Sequence, residues 1–377
     1  MIHNTISSRP SRTTGLAVAA IFLLFVGLGV FAYFSEKSQS AATAETGVTL
    51  LNVSYDATRE LYCEINHAFS RDWQEKTGER IVVRMSNGGS GSQAQAVIGG
   101  LPADVVTLAL SLDIDDIAEH TDLLPRNWKT RLPNNSAPYT STLAFLVRKG
   151  NPKQIRDWHD LVRPDVRVMT PDPKTSGVAR WTYLALWGYA LRRELGSDFA
   201  SLLSDPRQAD NVQAAQTKAR EFVAAVYRNV PVLDESAREA TNHFIRQRIG
   251  DVLINWENEI LLGGREFDRE RLEIIVPPVS ILTEPVIALV DGNVDRRGTR
   301  PVAETYLEFL YSEIGQDIIG RNFYRPAVSE RAQIKYRDQF PAIEMFTVDA
   351  VFGSWSAAYR THFTDGGTFD QIFRPRS

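Results

Sequence analysis

A loop rich in glycine and serine, Ser86–Gly100, carries residue types that suit the binding of an anion. Its sequence, SNGGSGSQAQAVIGG, follows the apolar strand pattern RIVVRM, and Ala94, Val97, Ile98 and Leu101 then recur at the spacing of one helix face. A helix start directs free backbone N–H groups and the positive end of the helix dipole towards the preceding loop. The stretch therefore predicts an anion site made of backbone amides and hydroxyl groups.

Three further turns share this strand–turn–helix pattern with the turn at Ser90. Asp56 follows LLNVSY, Thr175-Ser176-Gly177 follows VRVMTPDPK, and Ser236-Ala237 follows VPVLDE, with Glu239 placed as the far half of a capping box. In open α/β sheets such turns lie at the carboxyl ends of the strands, where ligands bind. The alternative for each turn taken alone is an ordinary helix cap.

Patterns of catalytic and metal-binding residues are missing from the sequence. Ser90 and Ser176 have no evident histidine partner that would activate a nucleophile, and GGSGS lacks the Gly-Lys-Ser/Thr ending of a nucleotide loop. The six histidines form no H-x-x-x-H or H-E-x-x-H pair. Asp113–His120 holds several carboxylates without the glycine turn of a calcium loop, which predicts a solvated helix start. We therefore expect no enzyme activity, no metal site and no cofactor.

Short apolar segments alternate with amphipathic ones along the chain, which predicts an α/β fold. One helix is predicted after Thr175, with Trp181, Leu184, Ala185 and Gly188 on one face and its end near Gly196, and another over Ala303–Gly320. Cys63 is the only cysteine, so no internal disulfide forms, and a buried, inert thiol is predicted. The predicted strands are TLLNVS, RIVVRM, DVVTLA, STLAFLVR, VRVMT, VPVLD, DVLIN, LEIIVPP and PVIALVD.

The N-terminus has the pattern of an export segment. Arg9 and Arg12 precede the continuous apolar run Gly15–Phe34, and Ala42-Thr43-Ala44 fits a signal cleavage site. Because the run is also long enough to span a bilayer, residues 1–44 are predicted to be either a cleaved signal peptide or a retained membrane anchor. Both alternatives place the rest of the chain outside the cytoplasm. The net charge of −4 gives no basic surface for nucleic acid.

Seven ordered motifs span the chain from Val48 to Phe373. They are LLNVSYDATRELY, SNGGSGSQA, ADVVTLAL, APYTSTLAFLVRKGNPK, PDPKTSGVARWTYLALWGYAL, IGDVLINWENE and GGTFDQIF. Together they closely resemble the bacterial periplasmic sulfate-binding proteins. The resemblance implies a two-lobe periplasmic-binding-protein fold of type II, with a hinge and a ligand cleft. It also implies that sulfate is delivered to the membrane permease of an ABC importer.

The resemblance further implies which residues hold the anion, because proteins of this family bind the dianion with neutral donors and no salt bridge. Two positions depart from the family: Val178 stands where a glycine is usual, and Asn87 where a histidine is usual. Unlike glycine, valine does not readily adopt positive φ. The N–H of Val178 can therefore bind the anion only if the site needs helical backbone angles at this position. The implied donors are the N–H of Asp56, the hydroxyl and N–H of Ser90, the hydroxyl of Ser176, the N–H groups of Gly177, Val178 and Ala237, and the indole N–H of Trp256.

The chain is expected to cross from one lobe to the other near Tyr139–Leu143 and to return near Thr283–Ile287, where STLAFLV and PVIALV form strands. Lobe 1 is expected to comprise residues 45–140 and about 285–325, and lobe 2 about 141–284 and 326–377. We expect a periplasmic monomer whose partners are sulfate and the importer permease.

A site of donors alone suits sulfate, which is fully ionised at neutral pH. Phosphate carries a proton near pH 7, and a buried site without an acceptor rejects it. Trp256 closes an apolar strand, so core packing is the alternative to its ligand role. Thiosulfate is the alternative ligand within the family. From other classes, a sulfate- or phosphate-ester hydrolase and a sensor tethered by the N-terminus remain alternatives.

Overall fold

Two mixed sheets with flanking helices form the protein in a computed structural model, which describes residues 47–266 and 271–373. Each of the nine predicted strand segments contains a strand, which confirms the α/β pattern. The strands are β1 (Val48–Tyr55), β2 (Ile81–Gly88), β3 (Val105–Leu108), β4 (Tyr139–Thr140), β5 (Leu143–Arg148), β6 (Val168–Pro171), β7 (Leu233–Asp234), β8 (Val252–Trp256), β9 (Leu272–Ile275), β10 (Val279–Ile281), β11 (Val286–Leu289), β12 (Arg325–Pro326) and β13 (Glu344–Phe346).

The helices connect and cover these strands. Several begin at a serine or threonine whose hydroxyl accepts a backbone N–H, as at Ser312 and Ser354. The α-helices are α1 (Arg59–Thr77), α2 (Ser90–Ile98), α3 (Ser111–His120), α4 (Pro133–Ser136), α5 (Gly177–Leu195), α6 (Phe199–Leu202), α7 (Ala209–Arg228), α8 (Ala237–Ile245), α9 (Glu257–Glu266), α10 (Asp291–Arg297), α11 (Arg300–Phe309), α12 (Glu313–Arg321), α13 (Glu330–Tyr336), α14 (Val348–Phe352), α15 (Trp355–His362) and α16 (Thr368–Ile372).

The first sheet has the strand order β11-β3-β1-β2. β1 and β3 run parallel, whereas β11 is antiparallel to β3. All four residues of β3 are buried, as expected for a strand that is covered on both faces. Its core includes Val53, Val106 and Val286 from the strands and Val97 and Ile114 from α2 and α3.

The second sheet has the order β7-β6-β8-β5-β9. β7, β6 and β8 are parallel, and β5 is antiparallel to both β8 and β9. Successive side chains of β5 point to opposite faces, so Phe145 and Val147 join one core while Ala144 and Leu146 join another. Because β6 and β7 run parallel, their carboxyl ends lie at the same edge of this sheet. The starts of α5 and α8 follow these strand ends.

The chain passes from the first sheet to the second between β4 and β5 and returns between β10 and β11. Ser141 and Thr283 lie in these two segments and exchange two backbone hydrogen bonds of 3.0 and 2.9 Å. β4 also pairs with β12, which places Tyr139 opposite Pro326. The segments that cross between the sheets are thus hydrogen-bonded to other chain segments rather than independent linkers.

The helix predicted over Ala303–Gly320 is instead two helices, α11 and α12. Ser312 is the cap of α12, and its hydroxyl accepts the N–H of Gly315 at 3.0 Å. A Cβ at Gly315 would lie 2.1 Å from the carbonyl oxygen of Phe309, so the chain folds back tightly at this point. Both helices pack against α1, where Phe69 contacts Tyr306 and Phe309, so the apolar periodicity continued through the break and concealed the cap.

One predicted helix is buried more completely than its sequence pattern indicated, and one prediction about burial, that of Cys63, was wrong. α5 is buried on every side from Gly177 to Leu191, because the second sheet, α7 and β10 all pack against it. Cys63 is exposed, since its neighbours Tyr62 and Ile65 on α1 face the core and leave position 63 towards solvent.

Residues from Thr49 onwards form one compact unit by their contacts. The predicted export segment, residues 1–44, lies outside the described residues. Of the helices that the structure describes, none is both long and apolar enough to cross a membrane.

Candidate anion site

The four predicted turns each begin a helix at the end of a strand. Asp56 opens a short 3-10 helix after β1, and Ser90 is the first residue of α2 after β2. Ser176 precedes α5 after β6, and Ser236 precedes α8 after β7. Two of these helix starts thus belong to the first sheet and two to the second, which confirms the strand–turn–helix pattern.

The starts of α2 and α5 touch across the two sheets. A Cβ at Gly177 would lie 2.8 Å from the Cβ of Ala109 and 3.3 Å from that of Ser90. A Cβ at Gly89 would lie 2.9 Å from the carbonyl oxygen of Thr175. The glycines permit this approach, so the Ser90 and Ser176 turns face each other at close range.

The starts of α5 and α8 offer donors that the protein itself does not use. Ser176 makes no capping hydrogen bond with its side chain, although it occupies the cap position. In the described ranges, the N–H groups of Gly177, Val178 and Ala237 meet no protein acceptor, as expected for first-turn amides. Three amides and one hydroxyl are therefore available for an anion.

Val178 has helical backbone angles, which a residue other than glycine adopts without strain. It lies within α5 and is not among the described residues with positive φ. Its N–H is in the second position of the helix, where no intrahelical acceptor exists. The glycine that the family usually carries here is thus not required by the backbone of this chain.

The hydroxyl of Ser90 is engaged within the protein. It donates to Oδ2 of Asp113 at 2.5 Å and accepts the N–H of Ala109 at 2.9 Å. A hydroxyl has one proton, so donation to Asp113 leaves none for an anion. Of the two donors expected at Ser90, the backbone N–H is the one that this geometry leaves available.

A buried ion pair lies directly behind this contact. Nη1 of Arg180 lies 3.1 Å from Oδ1 of Asp113, and both side chains are more than nine-tenths buried. Nε and Nη2 of Arg180 donate to the carbonyl oxygens of Pro173 and Lys174. Burial raises the pKa of Asp113, and the Arg180 guanidinium opposes that rise. The prediction that the helix start at 113–120 is solvated was therefore wrong for Asp113, because the packing of α5 covers it.

A second charged network joins α1 to α8. The guanidinium of Arg238 binds both carboxylate oxygens of Glu60, at 3.2 and 3.0 Å, and Oε1 of Glu259 at 2.8 Å. The backbone N–H of Arg238 donates to Oδ2 of Asp56 at 3.3 Å. Burial raises the pKa of Asp56 as well as that of Glu259, which reaches about 8 despite the attraction of Arg238. Arg180 and Arg238 are thus both paired with carboxylates.

Trp256 combines a buried ring with an available donor. The side chain is 1% exposed at the end of β8, and its ring centroid lies 5.6 Å from that of Tyr55. Among the described residues no acceptor takes its indole N–H, whereas the indoles of Trp158 and Trp181 donate to backbone carbonyls. The ring is therefore part of the core, while its N–H remains free to bind a ligand.

Lys174, beside the Ser176 turn, is bound to the C-terminal part of the chain. Its ammonium donates to the carbonyl oxygen of Phe363 at 3.0 Å and lies 2.9 Å from a carboxylate oxygen of Asp370. It anchors α16 and does not add a free positive charge to the anion site.

The fold and the chain are similar to known solute-binding proteins. The bacterial extracellular solute-binding protein family matches residues 50–325. A solved sulfate-binding protein from Mycobacterium tuberculosis H37Rv superposes with a TM-score of 0.72 at 26% identity, covering 84% of this chain and 99% of that one. A periplasmic thiamin-binding protein shares the fold, with a TM-score of 0.59 at 16% identity, over 88% of this chain and 98% of its own. These matches show the two-lobe fold that the motifs implied.

Relatives of high sequence identity show to which family of solute-binding proteins the chain belongs. The chain is 54% identical over 325 residues to a sulfate-binding protein of Salmonella typhimurium, covering 86% of this chain and 93% of that protein. It is 46% identical over 332 residues to a thiosulfate-binding protein of Pseudomonas aeruginosa, covering 88% and 94% respectively. These are binding proteins and not enzymes. The chain therefore belongs to the sulfate/thiosulfate-binding family of bacterial extracellular solute-binding proteins.

Proposed function

We propose that the protein captures sulfate between its two lobes and delivers it to the membrane permease of an ABC importer. The observation that carries this proposal is the meeting of helix starts from both sheets at Ser90 and Gly177, with unused neutral donors around them. A dianion at this point would receive hydrogen bonds from both sheets at once. Binding would therefore favour the closed arrangement of the lobes.

The proposed donors come from every turn that the motifs identified. All are uncharged, and the neighbouring Arg180 and Arg238 are held by carboxylates. Charge-assisted hydrogen bonds and helix starts thus replace a salt bridge. The proposed set is the backbone N–H groups of Asp56, Ser90, Gly177, Val178 and Ala237, the hydroxyl of Ser176 and the indole N–H of Trp256.

Sulfate is the proposed ligand and thiosulfate is the second candidate. Two relatives named for sulfate binding are 53% and 54% identical to this chain, a thiosulfate-binding relative is 46% identical, and two further sulfate-binding relatives are 37% and 34% identical. Both anions lack a proton at neutral pH and suit a site of donors. Phosphate and molybdate are expected to bind more weakly, phosphate because its proton would face another donor.

We propose the following organisation around the site. Residues 45–140 and about 285–336 form one lobe, and about 141–284 with the remaining C-terminal segment form the other. Lys335 of α13 pairs with Asp317 of α12, which favours a last crossing after Tyr336. The protein acts in the periplasm as a monomer, and residues 1–44 serve either as a cleaved signal or as an anchor.

Calorimetry with sulfate, thiosulfate, molybdate and phosphate tests this function, and Ser176→Ala tests the site. Because the Ser176 hydroxyl caps no helix, its removal should leave thermal stability unchanged while weakening sulfate binding about ten- to a hundredfold. Ser354 is the matched control, since its hydroxyl accepts the N–H of Ala357 at 3.1 Å. Ser354→Ala should lower stability by about 1 kcal/mol and leave sulfate affinity intact. Absence of sulfate and thiosulfate binding to the folded protein would refute the proposal.

A further inference from the structure

A cluster of one histidine and two carboxylates lies where β7 meets α8. Asp234 ends β7, while Glu239 and His243 are four residues apart on α8 and so share one face of the helix. One ligand atom from each side chain lies within 4.8 Å of the other two. The sequence concealed this cluster, because Asp234 precedes the helix and the histidine has no second histidine at a metal-binding spacing.

The carboxylate of Asp234 is incompletely satisfied. Its Oδ1 binds Nδ1 of His243 at 2.6 Å, but its Oδ2 is buried and has no hydrogen-bond partner among the described residues. Burial raises the pKa of Asp234, which reflects the unfavourable environment of the charge. A buried acceptor without a partner is destabilising, and a bound cation would satisfy it.

We propose that Asp234, Glu239 and His243 form a binding site for a divalent cation of the zinc class. One imidazole nitrogen and two carboxylate oxygens, with a water molecule as the fourth ligand, make an open tetrahedral zinc site. Calcium and magnesium prefer oxygen ligands alone, so the nitrogen favours zinc over them. Two carboxylates and a neutral imidazole balance the charge of the cation.

The side chains can close around an ion with small movements. Two ligand atoms at about 2.1 Å from a tetrahedral ion lie about 3.4 Å apart. The three ligand atoms now lie within 4.8 Å of one another, and the pair formed by Asp234 and His243, at 2.6 Å, must open slightly. Asp234 is fixed by burial, but Glu239 is exposed and the His243 side chain is 24% exposed, so both can rotate. Glu239 uses only Oε2, which accepts the N–H of Glu235. Its other oxygen is available to the ion.

Binding replaces the hydrogen bond between His243 and Asp234 with bonds to the metal. The cation takes the lone pair of Nδ1 of His243, and the imidazole carries its one hydrogen on Nε2 instead, so that it stays neutral. Because only the deprotonated forms of these side chains bind zinc, binding should weaken as the pH falls. None of the three side chains is a proposed sulfate donor, so this inference is independent of the proposed function.

Titration of metal-free protein with zinc chloride against a chromophoric zinc chelator tests the site. One zinc ion per chain should bind and raise the melting temperature, since the ion binds the folded state. His243→Gln and Asp234→Asn should each weaken zinc binding at least about tenfold, the effect known for loss of a group that merely supports a ligand. Sulfate affinity of His243→Gln should be unchanged.

His120→Gln is the matched control. His120 lies four residues after a carboxylate, as His243 does, and its Nδ1 is 3.1 Å from Oδ1 of Asp116. Among the described residues, no third side chain completes a metal-binding cluster there. The His120→Gln variant should bind zinc like the unchanged protein. Absence of zinc binding, equal zinc affinity in a folded His243→Gln protein, or an equal rise in melting temperature with magnesium would each overturn the proposal.

Discussion

The change Trp256→Phe separates ligand binding from core packing at one position. It retains an aromatic ring against Tyr55 and removes only the indole N–H and part of the ring volume. Because no described residue accepts that N–H, the change removes no hydrogen bond within the protein. The loss of stability should therefore come from the smaller ring alone. It should remain below the loss caused by truncation to alanine, which is about 3–5 kcal/mol.

The effect on sulfate affinity should be larger than the effect of packing alone would suggest. A hydrogen bond to a charged partner contributes about 1.5–3 kcal/mol. Since about 1.4 kcal/mol corresponds to tenfold, sulfate should bind about ten- to a hundredfold more weakly. Calorimetry gives the affinity, and the fluorescence change that sulfate causes should disappear in the variant, because Trp256 would be the indole at the anion.

Trp158→Phe provides the control at a tryptophan of the same core. Trp158 is also fully buried, but its indole donates to the carbonyl oxygen of Val279 at 2.7 Å. Its replacement should lower stability, through the orphaned carbonyl as well as the lost volume, and leave sulfate affinity unchanged. Unchanged sulfate affinity in a folded Trp256→Phe protein would remove Trp256 from the site and refute the reasoning.

Three further predictions concern charge and backbone. The pKa of Glu259 is about 8 in the folded protein against an ordinary 4.5, so the folded state holds this proton more tightly and stability should fall as the pH rises from about 4.5 to about 8. Glu259→Gln should flatten that part of the profile in urea unfolding at several pH values, and an unchanged slope would contradict it. Arg180→Ala leaves Asp113 buried without its partner and should lower the free energy of unfolding by about 3–5 kcal/mol; a loss below about 1 kcal/mol would show that Asp113 is neutral. Val178→Gly keeps the backbone N–H and should change sulfate affinity less than about twofold, while lowering stability by about 3 kcal/mol because a buried side chain is lost and a glycine enters the helix; a tenfold gain in affinity would show that the site prefers glycine.

The sheets were predictable because their signals are local. Strand patterns such as that of β11 are continuous apolar runs, and residues that start helices, such as Ser90 and Ser236, follow the end of a strand after one intervening residue. Errors arose where burial depends on a distant element. α5 has an ordinary helix pattern, and only the packing of α7 and β10 against it explains why all its faces are buried.

The groups behind the candidate site could not be predicted from spacing. Asp113 and Arg180 are 67 residues apart, and Glu60 and Arg238 are 178 residues apart. Each pair joins an element of one sheet to an element of the other, so the contact exists only once the lobes meet. A carboxylate in a polar helix start has the same sequence pattern whether it faces solvent or, like Asp113, an arginine of the opposite lobe.

The placement of these ion pairs explains how a site near two arginines can remain a site of neutral donors. Arg180 uses its guanidinium on Asp113 and on two carbonyl oxygens, so its charge is compensated before an anion enters. Arg238 is compensated by Glu60, which binds it with both carboxylate oxygens, and it donates a further hydrogen bond to Glu259. An uncompensated guanidinium would attract any anion, whatever its protonation state. With the charges paired, affinity depends on how many acceptor lone pairs the anion presents to fixed N–H and O–H groups, and an anion that brings a proton loses one of them and adds a clash between donors.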